Sequence, residues 1–212
     1  MAWVSGVLVV VFVLVVGVCF GWRYAARRRS LPCPAWMSGL LTNPLTGGAG
    51  ARLLDQLELA PGMRVLDVGC GPGRLSVPAA ERVAPGGRVV ALDLQAAMLA
   101  KLSKRATARG VQNIVTLQAP IESATLEPES FDRALLAWVL GEIPDRAAAL
   151  QKIFASLKPG GVLSVTETLT DPHYQRLSTV LQLAEAAGFQ RGQYYRGWLG
   201  YTLHLAKPSH AP

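Results

Sequence analysis

Apolar and polar positions alternate with two different periods along most of the chain after Gly50. Short, mainly aliphatic runs bounded by turn residues predict five strands, and these lie at 64–68, 88–92, 114–117, 133–138 and 162–166. Runs this apolar are typical of strands that are buried on both faces of a sheet. The pattern therefore indicates a central sheet covered on both sides.

Stretches with helical periodicity separate these strands. They lie at 50–57, 75–83, 96–109, 146–157 and 174–187. Repeated strand–helix alternation predicts a parallel sheet with helices on both faces. Two further strand-like stretches, 189–196 and 198–206, meet at Gly197, and such close spacing predicts an antiparallel hairpin. We therefore expect residues 50–212 to form an α/β domain, a Rossmann-like doubly wound, seven-stranded, mostly parallel sheet with a C-terminal antiparallel hairpin.

The beginning of the chain has a different pattern, with no charged residue between Ala2 and Trp22. A helix of about 21 residues rises about 31 Å, which matches the roughly 30 Å hydrocarbon core of a bilayer. Aromatic residues that favour the headgroup layer, Trp3 at one end and Trp22 and Tyr24 at the other, bracket the apolar run. The sequence therefore predicts one transmembrane helix over residues 1–24.

Four arginines, Arg23, Arg27, Arg28 and Arg29, follow the apolar run. A cleaved secretory signal, the alternative interpretation, would have basic residues before a shorter run. The observed order favours an uncleaved single-pass anchor with the following domain on the cytoplasmic side of the membrane. Residues 25–49 then form a basic juxtamembrane segment and a proline-punctuated linker, which is either a spacer or a lid over the domain.

Composition sharpens this picture. The chain is 50% hydrophobic and 17% charged, with mean hydropathy +0.28, which excludes an intrinsically disordered protein. Four of the seven net positive charges lie in the arginine cluster, and no basic stripe with interleaved aromatics follows, so we expect no nucleic-acid partner. Cys19, Cys33 and Cys70 lack the spacing of a disulfide framework or a zinc site, so no metal is expected.

The strongest chemical signal is VLDVGCGPG at 65–73, a buried strand that runs into a glycine-rich turn. Gly69, Gly71 and Gly73 permit backbone torsions and close ligand approach that a Cβ would block. Asp67 lies at the end of this strand. Asp93 ends the next strand, about 20 residues beyond the last glycine, where a carboxylate can bind both hydroxyls of a ribose.

These residues, in this order, resemble the class I S-adenosylmethionine-dependent methyltransferases of the methyltransferase type 11 kind. LKPGG at 157–161, Phe131–Asp132 and VLGEIPD at 139–145 are further marks of that family. The resemblance covers roughly residues 53–207 and implies S-adenosylmethionine as cofactor and S-adenosylhomocysteine as product.

The resemblance also implies roles for individual residues. Asp67 and the three glycines would hold the methionine part of the cofactor and Asp93 its ribose. Leu94 and Met98 would contact the adenine, although core packing explains them equally well, and Gln118–Ala119 stands where the family commonly has Asp followed by Ala. The complete implied cofactor site is Asp67, Gly69, Cys70, Gly71, Gly73, Asp93, Leu94, Met98, Gln118, Ala119 and Ala137.

Candidate catalytic residues lie after the fourth and fifth strands. Many family members that act on small molecules carry a histidine pair where this chain has Gly141 and Glu142, so Glu142 is the candidate base or cation partner, unless it is a surface or capping carboxylate. Glu167 ends the fifth strand, where sheets of this kind bind ligands. A histidine can serve as a base near neutral pH, so His173 is a second candidate base, with Tyr174 beside it, although a helix start led by Pro172 explains these residues as well.

The connections between elements are short, so only the linker is available as a lid, and the pocket should open close to the bilayer. We therefore expect a lipid or lipophilic acceptor: a phospholipid amine, a quinone precursor, or a thiol or hydroxyl compound. A methyltransferase of membrane-associated proteins and a non-catalytic S-adenosylmethionine-binding scaffold are the alternatives. Intact Asp67 and Asp93 count against the scaffold. The sequence indicates no oligomeric state.

Overall fold

The computed structural model describes residues 47–209 together with Gly17 and Gly21. The predicted transmembrane helix (1–24) and most of the predicted linker (25–49) therefore lie outside the described residues. In the part of the chain that is described, no helix combines the length and the apolar character that crossing a bilayer requires.

Seven strands form one sheet in the order β3-β2-β1-β4-β5-β7-β6. Strands β1 to β5 run parallel, and β7 pairs antiparallel with both β5 and β6. The strands are β1 (Arg64–Val68), β2 (Arg88–Asp93), β3 (Ile114–Gln118), β4 (Phe131–Ala137), β5 (Leu157–Thr168), β6 (Gln190–Arg196) and β7 (Gly200–Ala206). The predicted seven-stranded, mostly parallel sheet with a terminal hairpin is confirmed.

Within residues 47–209, α1 (Gly47–Gln56) precedes β1, and four helices connect successive strands: α2 (Ser76–Val83), α3 (Ala96–Ala108), α4 (Arg146–Ser156) and α5 (Leu177–Ala186). Short 3-10 helices follow β3 at Ile121–Ser123 and β4 at Leu140–Glu142. Alternate residues of β1 enter different cores, because successive side chains of a strand point to opposite faces. Val65 packs with α1 and α2, whereas Leu66 packs with α4 and α5. Both faces of the sheet are thus covered around β1.

One strand departs from the expected burial on both faces. β3 is an edge strand of the sheet, and Val115 on it is 51% exposed, so its outer residues are not buried as predicted. An edge strand has a neighbour on one side only, and its outer residues meet solvent. The aliphatic pattern alone does not distinguish an edge strand from a central one.

Some boundaries also differ from the prediction. β5 includes the LKPGG segment, because Gly160 N donates to Lys207 O and Lys207 N donates to Gly161 O, each at 2.9 Å. β4 ends one residue early because Trp138 has a left-handed φ of +60°. Helix α5 begins at Leu177 rather than at residue 174, since Tyr174 N donates to Asp171 O in a turn. A loop therefore separates β5 from α5, and this loop borders the candidate site.

Candidate functional site

A cleft of about 280 Å³ lies at the carboxyl ends of β1, β2 and β4. In a parallel sheet these ends lie on one edge, and the crevice outside them is where α/β folds bind ligands. The predicted cofactor residues that line this cleft are Asp67, Gly69, Cys70, Gly71, Asp93, Leu94, Met98, Ala119 and Ala137. The structure thus brings together nine of the residues that sequence reasoning selected.

The turn after β1 is held against the end of β2. Gly69 N and Cys70 N both donate to Leu92 O, at 2.8 and 3.0 Å. Gly71 has φ +52°, and a Cβ placed there would meet no protein atom within 4 Å. Since Gly71 lines the cleft, its missing side chain leaves open space in the cleft, and its backbone is free to contact a ligand.

Asp93 closes this turn from the neighbouring strand. Its Oδ2 accepts a hydrogen bond from Gly71 N at 2.9 Å, and its Oδ1 accepts one from Gln95 N at 2.8 Å. Both oxygens retain lone pairs, because a carboxylate has about four acceptor sites. The side chain is therefore fixed in position and can still accept hydrogen bonds from two hydroxyl groups of a ligand.

Asp67 lies deeper, at the end of β1. Burial raises its pKa to about 6, while a hydrogen bond from Ser76 Oγ at 2.5 Å opposes that rise. Nearby Asp93 adds a smaller upward shift. A cationic ligand group in this part of the cleft would favour the ionised carboxylate. Asp67 is suited to bind an ammonium group on these grounds.

Two predicted cofactor residues, Gly73 and Gln118, lie outside the cleft lining, and a third, Cys70, lines it as a buried thiol. A Cβ on Gly73 would lie 2.8 Å from Leu102 Cγ, so this glycine allows the turn to pack against α3, away from the cleft lining. Gln118 also lies outside the lining and donates from Nε2 to Leu94 O at 3.3 Å. Cys70 lines the cleft, but burial raises the pKa of its thiol far above the usual range, so it remains an unreactive, packed thiol.

The side of the cleft beyond β2 is mainly apolar. Met98 is buried and Leu94 is half exposed, and both face the space bounded by Ala119 and Ile121. Pro120 and the 3-10 helix at Ile121–Ser123 close this side. The sequence pattern does not single out Ile121, although Pro120, two residues after the end of β3, signals a turn there. An apolar slot of this kind suits a flat heterocycle.

The opposite side of the cleft is built by the segment after β4. Trp138, Val139, Ile143 and Pro144 line it, and Glu142 contributes the acid predicted there. A left-handed φ is a strong departure for a bulky residue and is concentrated at functional sites. Trp138 has such a backbone φ, and its ring lies under a guanidinium, since Arg74 Cζ is 4.3 Å from the ring centroid. Sequence reasoning missed this pair, because nothing in the local pattern signals it.

The two other predicted catalytic residues lie outside this cleft. His173 and Tyr174 border a separate cavity, together with Gly141, Arg146, Gln175, Arg176 and Thr179. His173 is 6% exposed, and its Nδ1 lies 3.6 Å from Asp171 Oδ1 and 4.0 Å from Glu142 Oε1. It therefore sits behind two acids that line the cleft. The Tyr174 ring packs edge-on against Tyr201 at 6.2 Å.

Glu167, at the end of β5, is buried and holds the loop after that strand. Its Oε2 accepts a hydrogen bond from Gln175 N at 2.9 Å, and Tyr201 donates from its hydroxyl to Gln175 O at the same distance. Burial raises the pKa of Glu167 to about 8 despite the Gln175 bond. At neutral pH this carboxyl is therefore mainly protonated. It positions the loop that carries Asp171 to the cleft.

Comparison with known proteins agrees with this geometry. Residues 59–190 match the family described as "Methyltransferase domain". The fold superposes on a SAM dependent methyltransferase from Aquifex aeolicus with a TM-score of 0.77 at 20% identity, covering 82% of this chain and 99% of that one. The strand order, the glycine turn and the two strand-end acids thus define the class of protein. The chain belongs to the methyltransferase domain family, with the fold of the S-adenosylmethionine-dependent enzymes.

Two curated relatives are more similar in sequence. The chain is 36% identical over 117 residues to the aklanonic acid methyltransferase DauC of Streptomyces sp. (strain C5), covering 55% of this chain and 53% of the relative. It is 33% identical over 107 residues to a demethylmenaquinone methyltransferase of Symbiobacterium thermophilum, covering 50% and 43%. The chain therefore spans about half the length of the curated relatives it matches. The prediction of an S-adenosylmethionine-dependent methyltransferase domain, with that cofactor, is confirmed.

The residues of the cleft fit this cofactor. Asp93 offers two oxygens at a strand end for ribose hydroxyls, and Asp67 offers a carboxylate for an ammonium group. Gly71 leaves open space where a Cβ would stand, and the apolar slot beside Met98 suits adenine. The individual contacts assigned to these residues stay predictions.

Proposed function

We propose that this protein transfers the methyl group of S-adenosylmethionine to a lipid or lipophilic small molecule at a membrane surface. The observation that carries the proposal is the apolar wall that the segment after β4 forms on one side of the cleft. Trp138, Val139, Ile143 and Pro144 line it, and Glu142 is the acid among them. Largely apolar walls with a few placed polar groups are typical of small-molecule sites. A phospholipid amine, a quinone precursor, or a thiol or hydroxyl compound fits such a wall.

The names of the relatives support an acceptor of this kind. Two of them are named for aklanonic acid and for demethylmenaquinone, both small molecules. Their similarity to this chain extends over about half of its residues. We propose that the acceptor of this protein belongs to the same broad chemical range.

The cofactor supplies a methyl group on a positively charged sulfonium. An electron pair of the acceptor forms the new bond to the methyl carbon while the carbon–sulfur bond breaks. Positioning and exclusion of water by the cleft supply much of the rate, and a base is needed only if the acceptor atom carries a proton. Glu142 would accept that proton, with His173 Nδ1 4.0 Å behind it.

We further propose that residues 1–24 anchor the chain as a single-pass helix with the domain on the cytoplasmic side. The support comes from the uncharged run between Ala2 and Trp22 and from the four arginines that follow it. A tether of this kind raises the effective concentration of a membrane-resident acceptor without any new contact.

The decisive experiment incubates the detergent-solubilised full chain with methyl-labelled cofactor and, separately, with lipid, thiol and protein fractions. We expect label in the lipid or lipophilic fraction. Label in protein alone would overturn the lipophilic acceptor, and absence of cofactor binding in calorimetry would overturn the enzyme itself.

The same assay tests Glu142. If Glu142 is the base, Glu142→Gln should leave cofactor affinity unchanged and lower turnover by roughly 100-fold or more. The matched control is Glu81→Gln, which alters an acid outside the cleft that pairs with Arg109. Equal turnover in the two variants would remove Glu142 from the reaction.

A further inference from the structure

Large apolar side chains are concentrated on the surface at one end of the β6–β7 hairpin. Trp198 is 96% exposed and Leu199 47%, and Leu169, directly beside them, is 49% exposed. Six large hydrophobic side chains are exposed in the described part of the chain, and these three are half of them. We call Leu169, Trp198 and Leu199 the hairpin tip. A single exposed apolar residue is ordinary, but a cluster of this kind marks an interaction surface.

The hairpin tip is held in place by the backbone. Leu169 N donates to Leu199 O at 2.7 Å, and Thr168 Oγ1 donates to the same oxygen at 3.0 Å. Gly197 N donates to Gly200 O at 2.9 Å across the turn. The apolar side chains are thus presented on a fixed frame, so that ordering them on binding costs little conformational entropy.

The β6–β7 hairpin carries two exposed arginines and no acid. Arg196 ends β6 next to the hairpin tip, and Arg191 lies further along the same edge strand, where it pairs with Leu205. The acids nearest to the tip in sequence, Glu167 and Asp171, are largely buried. Apolar and aromatic residues beside exposed arginines match the two layers of an anionic membrane surface, since each cation near the surface contributes on the order of 1 kcal/mol.

The hairpin tip lies on the functional edge of the sheet. Gly200 pairs with Thr168, so that the tip stands at the carboxyl end of β5. The cleft opens at the carboxyl ends of the neighbouring strands, and Asp171, which lines it, follows Leu169 by two residues. A surface bound by the hairpin tip would therefore lie close to the cleft.

We propose that the hairpin tip inserts into the interfacial layer of a bilayer that contains anionic lipid, as a membrane contact of the domain itself. This contact deepens the proposed function, and it rests on that function for its purpose, because it brings the cleft to the membrane that holds the acceptor. Trp198 is the principal anchor, since an amphipathic aromatic ring favours the headgroup region. Arg191 and Arg196 add the preference for anionic lipid.

The test uses the full chain reconstituted into vesicles of phosphatidylcholine with phosphatidylglycerol, some carrying brominated acyl chains that quench tryptophan. The emission of Trp198 is obtained as the difference between the unaltered chain and Trp198→Gln. We expect this difference to be blue-shifted and quenched by the brominated lipid. The quenching should weaken in phosphatidylcholine alone and in the double variant Arg191→Gln, Arg196→Gln. Val115→Gln, on the opposite edge of the sheet, is the matched control and should retain it.

Two results would overturn the proposal. Trp198 emission that stays red-shifted and unquenched in anionic vesicles would place the hairpin tip in water. Emission that is blue-shifted but not quenched by the brominated lipid would show that protein, such as a second copy of the chain, covers it. Cofactor affinity measured by calorimetry on the same variants should be unchanged, so that failure of the membrane contact is distinguishable from failure of the proposed enzyme.

Discussion

At the scale of a single residue, Asp93 connects the glycine turn after β1 to the loop after β2. Its oxygens accept hydrogen bonds from the backbone of the turn after β1 and from the start of its own loop, at 2.9 and 2.8 Å. The same carboxylate faces the cleft. Hydrogen bonds to charged groups contribute about 1.5–3 kcal/mol each. One side chain thus shapes the turn and remains available for the predicted ribose contact.

We expect Asp93→Ala to weaken S-adenosylmethionine binding by roughly 100-fold or more, because the variant loses the predicted ribose contact and the hydrogen bonds from Gly71 N and Gln95 N. Isothermal titration calorimetry on the full chain measures this. Asp55→Ala, which removes an exposed acid paired with Arg82 at 2.6 Å, is the control and should bind normally. Equal affinities in the two variants would contradict the assignment of Asp93.

The sequence predicted Asp67 and Asp93 because each lies at the carboxyl end of a strand, and that position fixes where the side chain stands. It did not predict the Arg74–Trp138 stack or the place of Asp171 in the cleft. Those residues lie in loops, where the course of the backbone depends on contacts distant in sequence.

At the scale of elements, the site depends on how the 3-10 helix after β4 packs against the loop after β5. Gly141 is the point of closest approach. A Cβ there would lie 1.9 Å from His173 O and 2.6 Å from His173 Cβ. Only glycine allows this contact, which places Asp171 and Glu142 on the same cleft.

Gly141→Ala should therefore push the loop after β5 outward. We expect a loss of about 1–3 kcal/mol in the free energy of unfolding, as for other overpacked positions. Urea denaturation of the full chain measures this loss. Gly110→Ala is the comparison, because Gly110 has a left-handed φ of +68° but open space around its Cβ. A smaller loss for Gly141→Ala than for Gly110→Ala would show that the loop yields without cost.

The observed ends of the helices and strands show where the sequence pattern alone was sufficient to predict them. The glycine turn and strands β1 to β3 lie within one residue of the prediction, because strand runs and glycines mark both ends. Helix α5 begins three residues late, since Tyr174 and Gln175 donate their backbone N–H groups to Asp171 and Glu167 instead of to a helix. That competition is tertiary and leaves no local pattern.

At the scale of the whole molecule, the carboxyl edge of the sheet carries the cleft, the buried Glu167 and the hairpin tip. Burying ionisable groups there links the stability of the fold to pH. Burial raises the pKa of Asp67 to about 6 and that of Glu167 to about 8. Both groups therefore hold their protons more tightly in the folded chain than in the unfolded chain, and they stabilise the fold most at low pH. Rising pH therefore destabilises the fold through these two groups at the carboxyl edge of the sheet.

The stability that Glu167 contributes is fully present below its ordinary pKa of 4.5 and is lost as the pH rises through about 8. Asp67 completes its own loss near pH 6, and His204, whose pKa burial lowers, affects the unaltered chain and Glu167→Gln alike, so the difference between these two chains from pH 6.5 to 8 isolates Glu167. Glu167→Gln keeps an acceptor for Gln175 N but cannot ionise. The unaltered chain should therefore lose up to about 1.4 kcal/mol of unfolding free energy per pH unit relative to Glu167→Gln.

Urea denaturation of the full chain at several pH values in this interval measures both curves. Glu185→Gln, which changes an exposed acid on α5, is the control and should follow the unaltered chain. Because the Glu167 Oε1 atom accepts no hydrogen bond within the described part of the chain, ionisation finds no compensating donor there. Parallel curves for Glu167→Gln and the unaltered chain would mean that the loop after β5 opens to water when Glu167 ionises. In that case the loop after β5 would be a mobile wall of the cleft instead of a fixed one.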